Sequence, residues 1–346
     1  MQQRPFLVFV GGFLGAGKTT LILSAARMLI ERGKRVAVIM NDQDSELVDT
    51  KHAQARHIAA REVAGGCFCC RFSDLMNAAE ALESYEPDVI FAEPVGSCVD
   101  LSATILQPLK SYYRDTYRLA PLTVLINPAI WSKPMDADSE FLFRNQLAEA
   151  DLICTTKSDL YGEAPELPFP IDFALSGKTG AGVSEWLEEV LAGNRVAGAR
   201  LLDVDYERYA DAEAALGWLN LHAEVVLTEP SSPSLVCGPL LDRIEERLRA
   251  ESIEIAHLKL FDQCASGWLK VSITGNGAPQ PEGDLLSEPA ITHELALNLR
   301  ALGDPEELRR IVEHSLDEVA GKVAVRHLRA FRPAAPTPEH RFISVL

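Results

Sequence analysis

Ten residues near the start, Gly11-Gly12-Phe13-Leu14-Gly15-Ala16-Gly17-Lys18-Thr19-Thr20, have the types and spacing that chemistry on phosphate needs. Gly12 and Gly17-Lys18-Thr19 satisfy G-x-x-x-x-G-K-[ST], the phosphate-binding loop or P-loop pattern. Glycines there let successive backbone N–H groups turn inward around phosphate oxygens without Cβ clashes. Gly12, Gly15, Ala16, Gly17 and Thr20 are therefore expected around the phosphates of a nucleotide. Lys18 would reach the outer phosphates, and Thr19 would place its hydroxyl on Mg²⁺. A helix beginning near Lys18 adds the positive end of its dipole. A glycine-rich turn that binds nothing is disfavoured by the full pattern standing between an apolar run, Phe6-Leu7-Val8-Phe9-Val10, and an amphipathic helix.

Two further stretches bear on the nucleotide. Asp88-Val89-Ile90-Phe91-Ala92-Glu93 reads as an apolar strand ending in a carboxylate, followed by Pro94-Val95-Gly96. Glu93 at such a tip suits indirect coordination of Mg²⁺, and Gly96 can bring a backbone N–H close to a γ-phosphate. Thr155-Thr156-Lys157-Ser158-Asp159 follows another apolar run. In a [NT]-K-x-D turn the Asp159 carboxylate would accept from the guanine N1–H and 2-amino group while the Lys157 stem covers the base, a donor pair that adenine lacks. Thr156 stands where Asn is commoner. Farther on, Ser176-Gly177-Lys178 could offer backbone N–H groups to guanine O6.

Gly65-Gly66-Cys67-Phe68-Cys69-Cys70-Arg71 points to a second chemistry. Three thiols this close can supply soft ligands to Zn²⁺, Co²⁺ or Cu⁺ once ionised, and Arg61 and Arg71 would favour thiolate. Cys67, Cys69 and Cys70 do not complete a closed tetrahedral site, so a further ligand must come from elsewhere: His52, His57, solvent or a partner. An incomplete site suits metal that is held and then handed on. A redox thiol cluster is the main rival. Of the remaining cysteines, Cys98, Cys154, Cys237 and Cys264 are isolated and read as core filling, with Cys98 set apart by its place just after Gly96.

The chain that must position these groups has 346 residues, 47% hydrophobic and 24% charged, enough for two compact domains. Its formal charge of −17 disfavours nucleic acid and anionic membranes as partners, because both need clustered Lys and Arg. With no signal-peptide pattern and no apolar run of spanning length, a cytoplasmic setting is expected. Strands are predicted over 6–10, 35–40, 88–93, 122–126, 151–155 and 172–175, with helices over 19–31, 73–84, 138–149 and 183–191 between them. That alternation gives an α/β fold, a P-loop domain with a mostly parallel sheet over 1–195. A linker over 196–205, a smaller α+β domain over 206–332 and a proline-rich, extended tail over 333–346 complete the expected organisation.

The order Gly-Gly-Phe-Leu-Gly-Ala-Gly-Lys-Thr-Thr, Gly-Gly-Cys-Phe-Cys-Cys, Glu-Pro-Val-Gly, Thr-Lys-Ser-Asp resembles the CobW-type metallochaperone GTPases, relatives of the urease and hydrogenase maturation GTPases, through about residue 190. The resemblance implies a GTP- and GDP-binding enzyme that hydrolyses GTP slowly, with Lys18, Thr19, Glu93 and Mg²⁺ acting by positioning and electrostatics. It also implies that the Cys-x-Cys-Cys site binds zinc, or cobalt in some members, and couples nucleotide state to delivery. The expected partner is a client metalloprotein or cofactor-dependent enzyme; a nucleotide-dependent homodimer stands beside it. The family's Asn-Glu-x-Gly segment ending in Asp appears here as Asn41-Asp42-Gln43-Asp44 running to Asp49, which leaves Asp42 and Asp49 as candidate switch or Mg²⁺ carboxylates within a switch over 41–63. The histidine-rich tract that many relatives carry is absent from the sequence, which speaks against metal storage. Three other readings compete. One is a GTPase that gates cofactor loading or reactivation of a corrinoid-dependent or other metalloenzyme. The others are an ATP-using kinase, against which Thr156-Lys157-Ser158-Asp159 argues, and a non-enzymatic metal sensor.

Overall fold

Apolar runs with no polar alternation become strands covered on both faces, and the first unit of the structure is built from them. This is a computed structural model, and it describes residues 4–44, 48–131, 135–161, 169–275 and 277–346. Strands β1 (Phe6–Gly12), β2 (Val36–Asn41), β3 (Ala59–Val63), β4 (Val89–Glu93), β5 (Arg118–Leu119), β6 (Thr123–Ile126), β7 (Leu152–Thr155) and β8 (Phe173–Ala174) form one sheet. Its order is β3-β2-β4-β1-β6-β7-β8, with β5 beside β1. All of these pairings are parallel. β1 therefore lies at the centre, flanked by β4 and β6, and its C-terminal end is the P-loop. The helix Lys18–Glu31 follows directly, and the helix Val183–Leu191 buries Trp186, whose Nε1 donates to Thr123 Oγ1 at 3.1 Å and whose ring stacks on Phe91.

The second sheet comprises β9 (Gly217–Ser231), β10 (Glu254–Cys264), β11 (Gly267–Thr274), β12 (Gln280–Gly283), β13 (Ala290–Leu302) and β14 (Gly321–Phe331), in the order β12-β11-β10-β13-β9-β14. These pairings are antiparallel. Side chains alternate between its faces. Leu258, Leu260, Leu295 and Leu297 join Leu240, Ile244, Leu308 and Val312 of the helices Pro233–Ala250 and Pro305–Asp317 in one core. Phe261 and Ala296, one residue out of phase, face the other way and meet Val48. The α+β class expected from the sequence is the one found.

The chain divides into two compact units whose bounds differ from those expected. One comprises Met1–Gln43, His57–Ala212 and Ala335–Leu346; the other comprises Asp44–Arg56 and Glu213–Ala334. The stretch 196–205 stays with the first unit because Asp151 accepts from the Gly198 and Ala199 N–H groups at 2.6 and 2.9 Å. The tail also returns to it: Phe342 N donates to Ala103 O at 3.0 Å and Glu339 N to Cys69 O at 2.9 Å. Conversely, residues 48–55, which fall in the expected first domain, form the helix Val48–Ala55 and pack in the second unit. Among the described residues no helix is long and apolar enough to cross a membrane.

Candidate functional site

β1 ends in Gly11-Gly12, and the backbone then takes left-handed turns at Gly15 and Gly17, φ 74° and 91°, before the helix Lys18–Glu31 begins. At Gly12, φ 134°, a Cβ would stand 2.6 Å from Leu125 O, so only glycine fits. Lys18 is buried and donates from Nζ to Gly12 O at 2.9 Å, which folds its side chain back along the loop. Thr19 Oγ1 donates to Glu93 Oε1 at 3.1 Å. Threonine and carboxylate thus meet at the tips of neighbouring elements, a pair that suits holding Mg²⁺ through hydroxyl and second-shell carboxylate. Gly96 lies against the same place: a Cβ there would be 2.7 Å from Leu14 Cδ2 and 3.2 Å from Lys18 Nζ.

The base-side turn is braced on the P-loop. Thr156 Oγ1 donates to Ala16 O at 2.7 Å and lies 3.2 Å from Ile126 O, so the threonine hydroxyl links the end of β7 to both the loop and the end of β6. Lys157 adopts a left-handed backbone, φ 58°, and burial lowers its ammonium pKa against the opposing pull of Asp159. Ser176 Oγ donates to Asp159 Oδ1 at 2.6 Å, which brings the two turns together. Gly177 is pressed on the first turn of the helix Lys18–Glu31, where a Cβ would lie 2.8 Å from Leu21 N. Asn127, outside every motif of the sequence, reaches the loop as well: its Nδ2 donates to Gly15 O at 3.4 Å. A carboxamide in an Asn-Pro pair after a strand was the available signal.

Cys67, Cys69 and Cys70 form one sulfur cluster, with Sγ–Sγ separations of 2.7 Å (67 to 69), 3.3 Å (67 to 70) and 3.7 Å (69 to 70). Cys67 and Cys69 are buried and Cys70 is half-buried. Hydrogen bonds from Cys69, Cys70 and Cys98 pull the Cys67 thiol well below its ordinary pKa against the cost of burial. The bond to Cys67 and, after it, the bond to Cys70 and burial push Cys69 up. Cys70 is pushed up to about 12, first by its bond to Cys67. Of the three, Cys67 is thus the thiol most readily ionised. Asn41, at the end of β2, fixes the loop: Nδ2 donates to Val63 O at 2.9 Å and Gly66 O at 2.8 Å, while Oδ1 accepts from Phe68 N at 2.8 Å. The C-terminal tail adds a Thr337 N–H to Cys70 Sγ at 3.1 Å, a neighbour invisible to local sequence patterns.

Not every expected residue joins these groups. Asp42 remains at the end of β2, its carboxylate accepting from Gln43 N at 2.7 Å and its own N–H donating to Val63 O. Asp49 is taken up within the second unit, paired with Lys259 and lying 3.8 Å from Lys270. Burial would raise its carboxyl, but the two lysines outweigh it and hold Asp49 well below the carboxylate range. His52, considered as a further thiol-site ligand, belongs to that unit too, 5.0 Å from the Trp268 ring. Burial, with Lys270 and Arg56 beside it, keeps its imidazole neutral. His57 is exposed on a left-handed turn, φ 59°. Residues 45–47 of the expected switch lie outside the described residues. Among the described residues the three cysteines are the group of side chains arranged to hold a metal ion.

The fold and this site define a P-loop nucleotide-binding unit with a soft-ligand cluster in the same body. Residues 6–168, just under half of the chain, match the model of the family described as CobW/HypB/UreG, nucleotide-binding domain. The zinc chaperone YeiR of Escherichia coli (strain K12) is 30% identical over 155 residues, 43% of this chain and 45% of that protein. The zinc chaperone YjiA of the same organism is 28% identical over 163 residues, 45% and 50% of the two chains. The chain thus spans about half the length of the curated relatives it matches. A crystal structure of HypB from Helicobacter pylori in complex with nickel gives a TM-score of 0.41 at 16% identity, covering 54% of this chain and 86% of that one.

Proposed function

We propose that this protein is a GTP-hydrolysing metallochaperone whose nucleotide state governs how tightly the Cys67–Cys69–Cys70 cluster holds a transition metal bound for a client protein. The single observation that carries the reading is the sharing of one unit by the P-loop and the sulfur cluster, with Asn41 fastening the cysteine loop to the end of β2. Zinc is the favoured cargo: thiolates suit it, and two relatives are named zinc chaperones. Cobalt shares the ligand preference.

In this reading Lys18 and the loop N–H groups position the phosphates, and Gly96 presents its backbone to the γ-phosphate. Thr19 and Glu93 would hold Mg²⁺, which supplies neutralisation of charge on the phosphates. Asp159 and Lys157 select guanine, with Ser176 orienting the carboxylate. Without an activating group from a partner, turnover is slow. The chain leaves β2 at Asn41, contributes the helix Val48–Ala55 to the second unit and returns as β3, so the covalent path itself links the nucleotide unit to the client-recognising one. A GTPase that gates cofactor loading of a metalloenzyme would use the same switch with the thiol site as regulator; capture of a client in one nucleotide state without metal transfer would favour it.

The test is nucleotide competition joined to transfer. Guanine nucleotides displace a fluorescent GDP analogue and adenine nucleotides do not, while zinc passes to a chromogenic chelator faster after hydrolysis than before it. Equal displacement by ATP, or zinc release indifferent to hydrolysis, would sink the proposal.

A further inference from the structure

Cys98 is buried in the turn after β4, and its thiol hydrogen-bonds the Cys67 sulfur. It stands at one corner of the cluster, beside Cys67 and outside the group in which Cys67, Cys69 and Cys70 are mutually within 4.8 Å. A buried cysteine usually fills space like a small apolar side chain. This one instead hydrogen-bonds the Cys67 sulfur of the cluster. Its turn is also stapled: Gln146 Nε2 donates to Gly96 O at 2.9 Å and to Cys98 O at 3.0 Å, so Gly96 and Cys98 move as one piece. Gly96 in turn abuts Lys18 Nζ within the P-loop. One short, doubly hydrogen-bonded turn therefore touches the phosphate loop at one end and the sulfur cluster at the other.

Resting on the metal-cargo reading above, we propose that Cys98 is the fourth sulfur ligand of the Cys67–Cys69–Cys70 site, and that the 96–98 turn brings it in when the γ-phosphate loop engages nucleotide. Tetrahedral zinc–thiolate bonds of about 2.3 Å require four sulfurs roughly 3.8 Å apart. Three are already grouped, and the fourth needs only to swing from Cys67 toward Cys69 and Cys70. Closing the site holds the metal; retreat of the turn after hydrolysis opens one position for a client's ligand. The three-sulfur set alone offers no route by which the phosphate loop could reach the metal through a ligand of its own.

The experiment is zinc K-edge X-ray absorption on the reduced full chain loaded with zinc and a non-hydrolysable GTP analogue, then with GDP. The wild type is expected to show four sulfurs with the analogue and three plus one light atom with GDP. Cys98→Ala and the volume-preserving Cys98→Ser should show three sulfurs in both states and lose about tenfold or more of the analogue-state affinity. Cys154→Ala, a core cysteine of β7, keeps the wild-type pattern, and unchanged GDP-analogue binding certifies each fold. Three sulfurs in the wild type with both nucleotides, or four in both Cys98 variants, overturns this proposal while leaving the metallochaperone reading intact. A wild type that takes up no zinc overturns both.

Discussion

One carboxamide at the end of β2 braces the loop of the sulfur cluster from outside the cysteine motif. Asn41 satisfies two carbonyls and one N–H in the loop ahead of and inside Cys67–Cys70, all buried. Removing it takes this partner from Gly66 O and the Phe68 N–H and leaves Val63 O with the Asp42 N–H, at about 1–3 kcal/mol for each group left unpaired where water cannot reach. Asn41→Ala should therefore destabilise the first unit by about 3 kcal/mol in denaturant titration and loosen the loop, so that thiol reagents reach Cys67 faster. Unchanged stability and thiol reactivity would show that the loop holds its own shape. The P-loop and the Thr-Lys-Ser-Asp turn were legible as sequence because their chemistry depends on neighbours a few residues apart. Asn41 stands out in the sequence only as the first residue of the Asn41-Asp42-Gln43-Asp44 segment. Its partners lie 22 to 27 residues away, beyond the reach of any local pattern.

The elements tell the same story at longer range. Six apolar runs marked β1, β2, β4, β6, β7 and β8, but β3 (Ala59–Val63) escaped because Ala-Ala-Arg-Glu-Val puts two charges in five residues, as an outer strand can. The helix Val48–Ala55 escaped for another reason: its weakly apolar face is committed by Phe261, Ala296 and Trp268 and by lysines more than two hundred residues on. That commitment is where Asp49 acts, as an anchor for Lys259 and Lys270. Lys270 is 2% exposed, so Asp49→Asn leaves a buried ammonium poorly compensated. The variant should cost the second unit about 3 kcal/mol and raise amide exchange along 48–55, with nucleotide affinity nearly unchanged. A large loss of nucleotide affinity at unaltered stability would instead return Asp49 to the phosphate site. The tail was expected to run extended; its packing on the first unit depends on single hydrogen bonds such as Arg341 Nε to Asp100 Oδ2 at 2.7 Å, which proline content does not announce.

At the scale of the molecule, one buried acid of the first unit contributes a pH dependence with a definite sign. Glu149 is buried and accepts from Ser102 N at 2.9 Å, yet burial pushes its carboxyl up to about 8. The folded state thus keeps a proton that the unfolded chain has released above about 4.5. Folding binds more protons in that window, so stability is full below about pH 4.5 and declines as pH rises to about 8, where the folded carboxyl also ionises. Glu149→Gln should flatten that part of the melting-temperature profile; a slope left unchanged would assign the dependence elsewhere. The larger claim, that nucleotide state and metal affinity are coupled within one unit, is tested most directly by zinc affinity of the reduced protein with a non-hydrolysable GTP analogue and with GDP. The account predicts at least about tenfold tighter binding with the analogue, about 1.4 kcal/mol of coupling, abolished in Cys67→Ala and Cys69→Ala. Equal affinity in the two nucleotide states would contradict it.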